Sequence, residues 1–152
     1  MPHLPLYWIM LADAHGARLL QGTRPFTELE AVDGGFVPPP RNHHFSREIG
    51  TDQPGRAYST ADGRRAAIEP AEDPLRAEER AFAEDLAKQL NDAARAGRYD
   101  RLIIAAPPTM LGDIRNVLGA SARARLNATL NKDLVQVPTE ELSPRLLAAI
   151  GF

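Results

Sequence analysis

Between Gly35 and about Asp73 the chain reads GFVPPPRNHHFSREIGTDQPGRAYSTADGRRAAIEPAED and keeps neither a period of two nor a period of 3.6. Segments longer than about 12–15 residues without periodicity are uncommon inside a domain, and they serve a function or link parts. This arm divides the chain. The residues before it read as strands, and those after it alternate helix with strand.

Leu6–Ala12 (LYWIMLA) is a continuous apolar run between Pro5 and the turn Asp13-Ala14-His15-Gly16, which suits a strand buried on both faces. Ala17–Gln21 is a second strand, with Gly16 free to take the positive φ of a tight hairpin. Phe26–Val32 alternates apolar and polar residues and reads as a third strand, ended by Asp33-Gly34-Gly35.

Beyond the arm, Asp73 is placed to cap a helix with Pro74 in its first turn, and Leu75, Phe82, Leu86 and Leu90 share one stripe. Gly97 supplies the stop. Leu102–Ala106 (LIIAA) reads as a buried parallel strand closed by Pro107-Pro108. Helices are expected over Met110–Leu118, capped by Thr109, and over Ser121–Leu130, with Arg123 and Arg125 on a solvated face. Leu134–Val137 (LVQV) reads as the last strand. A final helix begins at Thr139 or at Ser143, and the pattern leaves both starts open. The order is βββ–arm–αβααβα. It predicts an α/β domain over residues 1–152 with a mixed five-stranded sheet, antiparallel meander plus parallel strands, flanked by helices in a ribonuclease-H-like arrangement.

Composition narrows the chemistry. No cysteine is present, which excludes disulfides, thiolate metal sites and cysteine nucleophiles. A net charge of −2 argues against general nucleic-acid or membrane binding. No apolar run approaches the ~20 residues that cross a bilayer, and nothing resembles a signal peptide, so no membrane partner and a cytoplasmic location are expected.

Four stretches resemble the bacterial family named for a requirement in attachment to host cells: WIMLADAHGARLL, DQPGRAYS, DPLRAEERAFAEDLAKQLNDAARAGRYDRLIIAAPPTMLGDIR and LNKDLVQVP. That family is grouped with relatives of the middle domain of eukaryotic and archaeal peptide-chain release factors. The resemblance implies a ribonuclease-H-like domain and a tie to translation. In release factors the segment equivalent to the arm carries Gly-Gly-Gln, which promotes peptide release. Here the one Gly-Gly pair, Gly34–Gly35, is followed by Phe36, so peptide release is not expected.

Candidate residues concentrate in the arm. Pro54-Gly55 signals a type II turn, Arg56 offers a planar fork for phosphate, and Tyr58 offers a stacking face, the pair that RNA contact uses. Arg64 and Arg65 extend the set. From Arg41 to Arg65 five arginines face three acids, Glu48, Asp52 and Asp62, a mildly basic arm on an acidic chain. A ribosome or a structured RNA is the expected partner. The arm could equally embrace a second copy of the chain as a homodimer, or serve as a protein-interaction module.

Asp13 has two uses open to it. It can order the Asp-Ala-His-Gly turn, or it can join Glu69, Asp73, Asp100 or Asp113 in a Mg²⁺ site of nuclease type. His43–His44 lack nearby acidic partners and read as loop residues. Pro107-Pro108-Thr109 lacks the glycines of a phosphate loop, so no nucleotide or other cofactor is expected. No nucleophile–base arrangement supports a catalytic centre.

Overall fold

The computed structural model describes residues 4–38 and 73–150. Five strands form one mixed sheet in the order β3-β2-β1-β4-β5. The strands are β1 (Tyr7–Asp13), β2 (Gly16–Gly22), β3 (Glu30–Val37), β4 (Arg101–Ala105) and β5 (Leu126–Leu130). β1 pairs antiparallel with β2 and parallel with β4, so the direction of pairing changes at the central strand.

All seven residues of β1 are buried. Side chains of a strand alternate between faces, so β1 feeds two cores. Trp8, Met10 and Ala12 pack with Phe82, Leu86 and Leu90 of α1 (Pro74–Arg95) and with Ile114 of α2 (Pro108–Val117). Tyr7, Ile9 and Leu11 pack on the opposite face with Leu142 and Leu146 of the last helix. Helix α3 (Ala120–Arg125) adds Ala122 to the first core.

Asp73 caps α1 through the Leu75 N–H, and Pro74 stands in its first turn. Leu75 departs from the expected stripe and is 55% exposed. Gly97 ends the helix region at φ 72°, a conformation that costs a side-chain-bearing residue free energy.

Several expectations need correction. The third strand lies at Glu30–Val37 rather than Phe26–Val32, because Phe26 is buried in a turn at φ 68° with its N–H on the Thr23 carbonyl. Asp33, Gly34 and Gly35 do not end that strand. Their positive φ values form the irregularity at which the β2–β3 register shifts. The helix expected over Ser121–Leu130 stops at Arg125, and Leu126–Leu130 is β5, paired parallel with β4. Leu134–Val137 is a turn, tied by the Val137 N–H to the Leu134 carbonyl. Local pattern could not separate a five-residue edge strand from a helix end, because pairing with β4 decides the matter. Both starts considered for the last helix are used: a 3₁₀ turn at Thr139–Glu141 leads into α4 (Leu142–Ile150). Thr109 does not cap α2, which begins at Pro108.

Candidate functional site

The C-terminal ends of β1, β4 and β5 define one edge of the sheet. In open α/β sheets this edge, at the strand where order reverses, is where ligands bind. Here the reversal is at β1, and β1 ends in Asp13.

Asp13 is 6% exposed. Its Oδ1 accepts the His15 N–H at 2.8 Å, the hydrogen bond expected of a residue that orders the hairpin turn. Asp133, in the segment after β5, meets it. Burial first, and then a hydrogen bond shared with the Asp13 carboxyl, push the Asp133 carboxyl above the ordinary aspartate range; the Val135 N–H and His15 pull the other way. Two carboxyls therefore meet where sequence reasoning placed Asp13 alone. Nothing in Asn-Lys-Asp-Leu marks Asp133 in advance, since its partner lies at the end of the first strand.

The other acids considered with Asp13 are used elsewhere. Asp73 caps α1. Asp100 accepts the Leu6 N–H at the opposite edge. Asp113, buried on α2, receives both guanidinium nitrogens of Arg76 at 2.7 and 2.8 Å. Glu69 lies outside the described residues. Among the described residues no group of three or more histidines, cysteines or acids is arranged to hold a metal ion.

Arg18 was also missed. Its guanidinium donates to the carbonyls of Val135 (2.9 Å) and Val137 (2.6 Å) and to the Thr139 hydroxyl (2.7 Å). One side chain thereby clamps the turn that delivers Asp133.

The arm is rooted at this same edge. Val37 pairs with Ala17 and Phe36 with Arg18, beside the hairpin. The Phe36 ring lies so close over Gly16 that a Cβ there would come within 2.6 Å of it and the ring would have to shift, while the φ of 154° favours glycine. The other root, Asp73, starts α1. That helix runs away from the edge: Tyr99 and Asp100, just past its end, lie by the start of β1, where the Asp100 N–H meets the Leu6 carbonyl. At 1.5 Å per residue a helix of 22 residues is about 33 Å long, enough to pass the full height of the sheet. Arg76 near its start grips Asp113 at the middle of α2, which itself begins just beyond the C-terminal end of β4.

Arg56, Tyr58, Arg64 and Arg65, with His43 and His44, lie outside the described residues. Arg123 lies on an exposed face, as expected, while Arg125 is half-buried. Arg123 donates to the Leu118 carbonyl, and Arg125 donates to the Tyr99 carbonyl while stacking on the Tyr99 ring.

The sequence model of the family described as "Protein required for attachment to host cells" matches residues 8–146. The chain belongs to that family. The match spans both halves of the sheet, the Asp13 turn, the Asp133 segment and the arm between them. Among curated proteins there is no match. A solved structure similar to this family member is the crystal structure of an archaeal translation termination factor, at 11% identity and a TM-score of 0.42. The alignment covers 94% of this chain and 38% of that one, so the chain spans well under half of the factor's length. Among the described residues no helix is long and apolar enough to cross a membrane.

Proposed function

We propose that this family member is a non-catalytic module that associates with RNA or the ribosome through its arm, using Arg56, Tyr58, Arg64 and Arg65. The observation that carries the reading is the rooting of the arm. Val37 pairs with Ala17 beside the Asp13 turn, and Asp73 opens the helix whose other end reaches the start of β1. A basic, aromatic-bearing segment that runs between a strand and a capped helix suits a polyanion partner. The order β3-β2-β1-β4-β5, with β2 opposed to its neighbours, also supports the ribonuclease-H-like reading of the fold. Lacking Gly-Gly-Gln, the chain is not proposed to release peptides.

The test is co-sedimentation of the purified protein with ribosomes at low and moderate salt, comparing wild type with Arg56→Ala/Arg64→Ala. Salt-sensitive association lost in the double variant is the expected result. Binding that is absent, or unchanged by the substitutions, overturns it.

A second reading, a homodimer or protein-interaction module, has its own observation. β3 is an edge strand and carries Phe36, 56% exposed, where the arm begins. Sedimentation equilibrium across a range of concentrations separates the two: a dimer broken by Phe36→Ser favours this reading.

A further inference from the structure

At the opposite edge of the sheet a cleft of about 340 Å³ opens between the start of β4 and the α3–β5 junction, lined by Pro5, Asp100, Arg101, Arg125 and Asn127 among others. Arg125 lies half-buried on one wall. Its Nη1 donates to the Tyr99 carbonyl at 3.0 Å, and its Nε is buried with no acceptor. The Tyr99 ring lies 5.9 Å from the guanidinium carbon and restricts its position. Among the described residues no carboxylate forms an ion pair with Arg125 or Arg101. A partly desolvated guanidinium without a counter-charge is costly unless an anion pairs with it. Arg101 enters from the first position of β4, exposed, and among the described residues its guanidinium is held by a long 3.4 Å contact to the Asn127 Oδ1, so it can turn to a ligand at small cost. Asp100 is occupied by the Leu6 N–H at 2.8 Å. Two arginines against one acid leave the lining with a net positive charge.

We propose that this cleft is a phosphate-binding site, in which Arg125 and Arg101 share the charge of the phosphate and the Asn127 side chain completes its hydrogen bonding. Guanidinium groups supply the planar, paired donors that tetrahedral oxyanions match. The volume admits a phosphate together with the group it is attached to. The site lies away from the arm roots and does not depend on the reading of the arm.

The experiment is an NMR titration of the full chain, following the Arg101 and Asn127 amides and the Arg125 Nε–H. Inorganic phosphate, adenosine 5′-monophosphate and a short uridine oligonucleotide are added at constant ionic strength, with chloride as control. Saturable shifts at these positions with the phosphate-bearing probes are expected. Arg101→Gln, an exposed substitution that leaves the core untouched, should weaken binding about tenfold, the loss of one charge-assisted hydrogen bond. A stronger response to the monophosphate points to a terminal phosphate, and a stronger response to the oligonucleotide points to a nucleic-acid backbone. Shifts equal to those of chloride, or binding unaltered in Arg101→Gln, would overturn the proposal.

Discussion

Single side chains settle much of the chemistry of this molecule, and Asp133 shows how. Its carboxyl holds a proton more tightly in the folded chain than in the unfolded one, because of burial and the Asp13 carboxyl. The sign comes from linkage: its favourable contribution is present below the ordinary aspartate range and is lost as pH rises through the raised folded value. Asp133→Asn, which keeps an acceptor for the Val135 N–H, should raise the urea midpoint at neutral pH and flatten its dependence on pH above the aspartate range. A midpoint unchanged at every pH would contradict the shared hydrogen bond. Tyr99 makes the corresponding alkaline case. Burial pushes its phenol up to about 12 against the pull of Arg125, while its hydroxyl donates to the Leu90 carbonyl. The stability tied to its proton is present below about pH 10 and lost as pH climbs toward 12. An absorbance titration should show a tyrosine ionising near pH 12 that disappears in Tyr99→Phe. The Arg76–Asp113 pair is a third case. Arg76→Ala strands a buried carboxylate and should cost about 2–3 kcal/mol in denaturant unfolding, a value reduced for the part of Arg76 that solvent screens. Most of that loss should be recovered in Arg76→Met/Asp113→Leu.

At the scale of elements, the segment between β5 and α4 has no regular structure of its own beyond a short 3₁₀ turn, yet Arg18 of β2 reaches two of its carbonyls and one hydroxyl. Arg18→Met should leave the sheet formed but speed hydrogen exchange at the Val137 amide far more than at β1, since the turn loses three donor contacts at once. Uniform acceleration across both would show instead that Arg18 supports the whole fold. Asn91 plays a similar part on the other face. Its side-chain amide accepts the Gly119 N–H and donates to the Val117 carbonyl, fixing the connection of α2 to α3 from α1. The long apolar or strongly periodic elements β1, β4 and α1 were legible before the structure, because burial on both faces or along one stripe leaves a clear pattern. The edge strands β3 and β5 were displaced, because a short run at a sheet edge carries too little pattern to overrule its neighbours.

Across the whole molecule the sheet serves two cores at once, and β1 belongs to both. The two faces should therefore unfold together. Leu86→Ala on one face and Leu142→Ala on the other should each cost about 2–5 kcal/mol, shift one common transition without changing its slope, and add in the double variant. Separate transitions by fluorescence and circular dichroism would refute a shared core. What the sequence determined by itself was the buried central strand, the capped helix after the arm, the mixed sheet and the turn-forming role of Asp13. All of these arise from local periodicity and backbone chemistry. Only the tertiary structure decided that Asp133 meets Asp13, that Arg18 clamps a turn well over a hundred residues along the chain, and that Arg125 faces a cleft rather than solvent. Each of these depends on which strands pair and which loops then share an edge, and pairing between distant segments leaves no periodic trace in either one.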